Sequence, residues 1–276
     1  MTTPIAVTIA GSDSGGGAGI QADLKTFSAL GVYGASVIAA LTAQNTRGVT
    51  AIHDVPADFV TAQIDAVFSD LAVSAVKIGM LSQPAAIEAV AVGLARYRMT
   101  NVVLDPVMVA GSGDKLIAAE AVAVLRRVLI PKALVITPNL PEAAALLDAP
   151  VAESEDEMQA QAERLLSLGA RAVLIKGGHG KGAESVDLLV EPNAVTRLTA
   201  NRISTKNTHG TGCTLSSAIA AGLAKGMPLI ESARAAKTYI TAAIEAADTL
   251  TIGHGHGPVH HFHAWWGVRH EQAREA

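Results

Sequence analysis

Short apolar runs alternate with amphipathic ones along almost the whole chain. Ile5–Ala10, Ala35–Thr42, Val73–Met80, Asn101–Leu104, Ala133–Thr137 and Ala172–Ile175 are rich in Val, Ile, Leu and Ala, as strands buried on both faces of a parallel sheet are. Helical periodicity fills the gaps. It predicts helices over Ile20–Leu30 with Gly31 at the C-cap, Asp58–Leu71, Pro84–Arg98 capped by Ser82, Leu116–Leu129 and Glu155–Leu168 closed by Gly169. A further helix opens after Ser204–Cys213 and runs to about Lys225, and Leu229–Leu250 forms the last long one. Val49–Val55 pairs back after the Arg47-Gly48 turn, and Val186–Glu191 with Val195–Thr199 reads as a hairpin across Pro192-Asn193. The pattern predicts one α/β domain over residues 1–276, its mostly parallel sheet flanked by helices on both faces. No linker and no repeat interrupts it.

Composition sharpens this picture in two ways. Half of the 276 residues are apolar but only 3% are aromatic, so the core must be built from Ala, Val, Leu and Ile. A formal net charge of −4 without a basic run excludes a nucleic-acid surface. The single Cys213 rules out an intramolecular disulfide and fits a reducing compartment. No secretory signal is read at the N-terminus and no apolar run approaches a membrane span, so a cytoplasmic protein is expected.

The candidate chemistry centres on Ser204–Ala224, where a polar run breaks into His209-Gly210-Thr211-Gly212-Cys213 and then into an unbroken small and apolar helix. Asn207 and Thr208 are expected to cap that helix, and the amides of Gly210 to Cys213 to stand free at its positive end, where an anion binds. Neither common phosphate signature is present: no Gly-Lys-Ser/Thr occurs, and Leu215 stands where a dinucleotide fingerprint needs glycine. A second glycine-rich stretch, Gly11-Ser12-Asp13-Ser14-Gly15-Gly16-Gly17-Ala18-Gly19, follows the first strand. Asp105, Asn139 with Glu142, and Lys176 fall at the C-terminal ends of predicted strands, which converge on one crevice in an open α/β sheet. Asp105 and Glu142 are hard oxygen ligands suited to Mg2+, and Lys176 reaches for nucleotide phosphate. On pattern alone Asp23 reads as a solvated acid in a first helical turn.

His209-Gly-Thr-Gly-Cys213 resembles the anion hole of ribokinase-like kinases, with cysteine where most of them carry an aspartate base. Together with residues 11–23, Gln44-Asn45-Thr46, Lys77-Ile78-Gly79-Met80, Asp105-Pro106-Val107-Met108, Thr137-Pro138-Asn139 to Glu142 and Lys176-Gly177-Gly178-His179, it resembles the hydroxymethylpyrimidine/phosphomethylpyrimidine kinases of thiamine biosynthesis. The resemblance implies a ribokinase-like fold and two successive ATP-dependent steps. The first phosphorylates 4-amino-5-hydroxymethyl-2-methylpyrimidine, and the second takes its monophosphate to the diphosphate. It implies Gln44 on the aminopyrimidine edge, Gly11 and Asp23 near the other polar edge, and Met80 and Val107 as apolar walls. It also implies Lys176, Asn139, Thr208, His209 and Thr211 on the nucleotide, Asp105 and Glu142 at the metal, and Gly210, Gly212 and Cys213 at the transfer. A carboxamide answers the donor and acceptor of an aminopyrimidine together. Cys213 is either the base that activates the acceptor hydroxyl or a thiol that only packs against the ring.

A pyridoxine or pyridoxal kinase of the same superfamily is the close rival, and a non-catalytic pyrimidine sensor the distant one. The tail at 253–276 holds most of the histidines and Trp265-Trp266. It is read as structural or substrate-adjacent rather than as a metal site, with the tryptophans docking on the domain or on a subunit partner; a homodimer is expected.

Overall fold

A computed structural model describes residues 2–108, 119–178 and 182–266. His179, the start of the predicted 116–129 helix and the tail beyond Trp266 lie outside them. The strands are β1 (Ile5–Asp13), β2 (Tyr33–Asn45), β3 (Gly48–Asp54), β4 (Ala75–Ile78), β5 (Val102–Leu104), β6 (Val135–Ile136), β7 (Val173–Lys176), β8 (Glu184–Glu191) and β9 (Ala194–Asn201). The helices are α1 (Gly19–Ala29), α2 (Ala57–Phe68), α3 (Pro84–Arg96), α4 (Ala119–Val124), α5 (Leu140–Leu147), α6 (Glu155–Leu166), α7 (Thr211–Ala224), α8 (Leu229–Glu245) and α9 (His263–Trp266). After α4 the chain makes a π-helical turn over Leu125–Leu129.

All nine strands join one sheet in the order β3-β2-β1-β4-β5-β6-β7-β8-β9. Pairing is parallel from β2 through β7, and β3, β8 and β9 add antiparallel edges. The predicted α/β architecture with helices on both faces is the observed one. Strand pleating sorts the core in two. Val7, Ile9, Val76, Ile78, Val102 and Leu104 face α2 to α6, whereas Ala6, Ala75, Val103 and Val135 face α1, α7 and α8. α7 is buried from Thr214 to Ala224, which only its small side chains permit.

Three local expectations fail for physical reasons. β1 runs beyond Ala10 to Asp13, because after a register shift Gly11, Ser12 and Asp13 still pair with Ala40, Leu41 and Thr42. Ser82 does not cap α3; it and Gln83 instead hold the two oxygens of Asp54 on β3. α7 is capped by Gly210 with φ 81°, not by Asn207 or Thr208. The Asn207 side chain is spent elsewhere, donating to Asp248 and accepting the Gly257 amide.

From β1 the chain moves to β2 on one side, then returns through β4 to the other. Ligands sit outside the strand carboxyl ends at such a reversal. Gly11 to Asp13, Met80, Asp105, Asn139 and Lys176 all end strands there.

Candidate active site

A cavity of about 790 Å³ opens along these strand ends, large enough for two small-molecule ligands. Gly11, Gln44, Met80, Asp105, Val107, Asn139, Glu142, Lys176, Thr208, His209, Gly210, Thr211, Gly212 and Cys213 all line it. Asp23 does not, and this corrects both expectations for it. It is fully buried on α1 behind the wall, where Thr8 Oγ1 (2.6 Å), Ser217 Oγ (2.6 Å) and Lys77 Nζ (2.9 Å) donate to its carboxylate. Lys77, equally buried, reaches the cavity lining from the β4 side. Burial alone would lower its pKa, but the Asp23 carboxylate holds it above the ordinary lysine value.

Two glycine-rich segments interlock at one end of the cavity. A Cβ at Gly210 would overlap the Gly17 carbonyl, so the left-handed cap of α7 exists only with glycine there. The Thr211 amide turns back to the Thr208 carbonyl (3.2 Å), unlike the expectation that it stands free. Among the described residues the amides of Gly212 and Cys213 have no such partner and point from the helix N-terminus, a site for anionic oxygen. A Cβ on Gly212 would come within 3.1 Å of Lys176 Nζ, so this turn and the lysine are in close approach.

Lys176 at the end of β7 is bound by Asp105 Oδ1 (2.8 Å) and lies 3.8 Å from Glu142 Oε2. Asp105 accepts also from Thr137 (3.0 Å) and Ser216 (3.2 Å). Its pKa stays below the usual carboxylate value: burial opposes this, but Lys176 and then Lys77 outweigh burial. Glu142 is pushed up to about 7 by its own burial, with Lys176 pulling against that. Burial likewise pushes the Cys213 thiol up to about 11, although Lys77 and the Gly19 amide favour the thiolate. At neutral pH the resting group is a thiol.

Helix α5 was missed in the sequence, although its signal was there. Asn139 and Glu142 form a capping box, each side chain on the other's backbone amide at 2.8 Å, with Pro141 in the first turn. Reading Asn-x-x-Glu only as a ligand pair hid this. Two buried pairs also went unread. Asp187 on β8 holds Lys237 of α8 at 2.7 Å, and Asp13 holds His209 at 2.8 Å. The second sets His209 beside Gln44 and the glycine loop, in the same cavity wall as Thr208 and Thr211.

The histidine tail works as a strap. The amides of His254 and Gly255 donate to Thr46 Oγ1 and that of His256 to the Thr46 carbonyl, while His209 and Pro258 form a bridge. Neutral His261, its pKa depressed to about 3 by burial, meets Thr214 Oγ1 at 3.0 Å. Trp265 Nε1 donates to the Ala29 carbonyl, so that ring docks on α1.

A family model described as phosphomethylpyrimidine kinase matches residues 13–260. The chain is 65% identical to a hydroxymethylpyrimidine/phosphomethylpyrimidine kinase of Rhizobium meliloti, over 96% of this chain and 99% of the relative. Among solved structures it is similar to an ADP complex of Bacillus subtilis pyridoxal kinase, with TM-score 0.89, 38% identity, and 96% and 100% of the two chains covered. It is also similar to a phosphomethylpyrimidine kinase from Clostridium difficile, with TM-score 0.77, 47% identity, and 87% and 99% covered.

Proposed function

The chain belongs to the phosphomethylpyrimidine kinase family and is an ATP-dependent phosphotransferase of thiamine biosynthesis, acting on hydroxymethylpyrimidine and its monophosphate, and we propose how its cavity divides that work. Gln44, Gly11, Met80 and Val107 form the acceptor end, with Gln44 on the aminopyrimidine edge. Lys176, Asn139, Thr208 and Thr211 form the nucleotide end. The amides of Gly212 and Cys213, exposed by the glycine cap at 210, hold the charge that develops on the transferring phosphoryl group. The observation that carries this division is the position of Lys176, which approaches the anion hole while paired with Asp105.

Kinases of this kind use a divalent cation with ATP, and Mg2+ fits the residues here. Asp105 and Glu142 already share one cation, the Lys176 ammonium, and two carboxylates plus substrate phosphates are a usual magnesium set. When bound, the metal neutralises phosphate charge. Asp105 and Glu142 would hold it through water. Lys176 orients the donor phosphate. Cys213 stands where the acceptor hydroxyl loses its proton. A homodimer is part of this reading, with exposed Ile52 on the edge strand β3, and a reducing cytoplasm agrees with a free Cys213.

Incubation with ATP, Mg2+ and hydroxymethylpyrimidine should yield the monophosphate and then the diphosphate. A preference for pyridoxal in the same assay would overturn the acceptor assignment. Gln44→Leu is expected to keep the fold and nucleotide binding but to weaken pyrimidine binding by about 1–3 kcal/mol, the cost of an unpaired polar edge in a closed pocket. Calorimetric titration showing unchanged pyrimidine affinity would remove Gln44 from the site. Glu142→Gln is expected to lower turnover, with partial recovery at high Mg2+, because the lost charge weakens metal positioning. Turnover equal to the parent across a Mg2+ titration would refute that role.

A further inference from the structure

Helices α1 and α7 pack together in step, and two successive contacts join them beside the point of transfer. At the first, the Gly19 amide that opens α1 is near enough to the Cys213 sulfur to favour its anion. Four residues further along both helices, Ser217 Oγ donates to Asp23 Oδ1 at 2.6 Å. Lys77 joins this second contact from β4, with Nζ 2.9 Å from each Asp23 oxygen. The ion pair therefore lies roughly one helical turn, about 5.4 Å, beneath the level of the sulfur.

The pair is oriented. Lys77 lines the cavity and Asp23 does not, so the cation is on the side of the site and the anion is behind it. Gly79 makes room for this: a Cβ there would meet Lys77 Nζ at 2.8 Å, next to Met80 of the acceptor end. Stability does not explain the pair, because apolar side chains of similar volume are often as stable or more so in such a place. We propose that Lys77 is a positioning residue that acts through Cys213, its ammonium favouring the anionic sulfur that takes the proton of the acceptor hydroxyl. The inference rests on Cys213 being the base.

The other charged groups on the elements packed against α7 are closed on partners of their own. Asp105 on β5 opposes an anion at the sulfur, but it is bound to Lys176 of β7. Asp13 at the end of β1 is held by His209, and Lys25 of α1 donates to the Gly16 carbonyl. Lys237 of α8 is held by Asp187, and His261 of the strap meets Thr214 as a neutral ring. Among the charges that act on the sulfur Lys77 is the strongest, and Asp23 pulls against it from behind. In the step itself the thiolate takes the hydroxyl proton while the hydroxyl oxygen bonds to phosphorus and the bond from phosphorus to the ADP oxygen breaks. The thiol then returns its proton to solvent.

The chain has one cysteine, so labelling with 13C-cysteine gives a single Cβ signal whose shift reports the thiolate fraction directly. The test variant is Asp23→Asn with Lys77→Met, which removes both charges and leaves Thr8 and Ser217 an acceptor. Thermal denaturation establishes that it is folded; if it is not, Asp23→Ala with Lys77→Met takes its place under the same expectations. The thiolate fraction at pH 10 should fall about tenfold below that of the parent, the effect of one pKa unit. The single-turnover rate at pH 8 should fall by the same factor, with the affinities for ATP and the pyrimidine unchanged. In a Cys213→Ser background the same two changes should leave the rate as it was. An equal thiolate fraction in parent and variant overturns the proposal. So does an equal loss of rate in the serine background, which is the mark of a structural role. Cys213→Ser within a few-fold of the parent overturns the base reading instead, and the inference falls with it even where the sulfur's titration has shifted.

Discussion

Cys213→Ser is expected to lower the single-turnover rate of phosphoryl transfer by about 10²–10⁴-fold, the range that general-base assistance supplies. The thiol is raised to about 11 by burial at the start of α7. Its active form is therefore scarce at neutral pH and grows about tenfold per pH unit toward the alkaline side. The parent's rate should climb between pH 7 and pH 9 while the protein stays folded, and the serine variant should show no such climb. Cys213→Asp should retain some activity, because it restores an acceptor of protons at the same point. A serine variant within a few-fold of the parent, with the same pH slope, would reduce Cys213 to a packing role. The outcome turns on when the acceptor's proton leaves, since a loose transition state needs little help from a base early in the transfer.

Asp23→Ala is expected to be the most destabilising single change in the neighbourhood of the site. It would leave the Lys77 ammonium fully buried without its counter-charge, at a cost of about 3–5 kcal/mol. For a domain of this size that lowers the melting temperature on the order of 10 °C. Adding Lys77→Met should recover most of the loss, because it removes the buried ammonium that Asp23→Ala leaves without a counter-charge. Thermal denaturation of the three proteins checks this. If Asp23→Ala melted with the parent and lost pyrimidine affinity instead, the carboxylate would belong to the substrate after all.

Much of this fold is written in plain hydrophobic periodicity. Buried parallel strands such as Ala172–Ile175 announce themselves because both faces must be apolar, and the strand ends then locate Asp105 and Lys176 without further information. Other features resisted for identifiable reasons. Asp23 looked solvated because helical periodicity reports one element at a time, whereas its partners Thr8, Lys77 and Ser217 come from β1, β4 and α7. Asn207 looked like a cap because local propensity does not register that Gly257 and Asp248 claim its side chain from the other end of the chain. The gap between Asn139 as ligand and Asn139 as cap has another origin: one spacing serves two purposes, and the chemical one was read first.

The strap across the glycine segments has a consequence for how the molecule comes together. The acceptor end of the cavity is closed by Thr46 meeting Gly255, 209 residues away, and by Asp13 meeting His209, 196 residues away. The Lys176–Asp105 pair at the nucleotide end spans only 71. Contacts of long sequence separation must overcome a larger loop-closure entropy before any of them is rewarded. For a roughly threefold longer loop that excess is only about 1 kcal/mol, so the contacts that close the acceptor end add a small entropic cost beyond the Lys176–Asp105 pair rather than a separate folding stage.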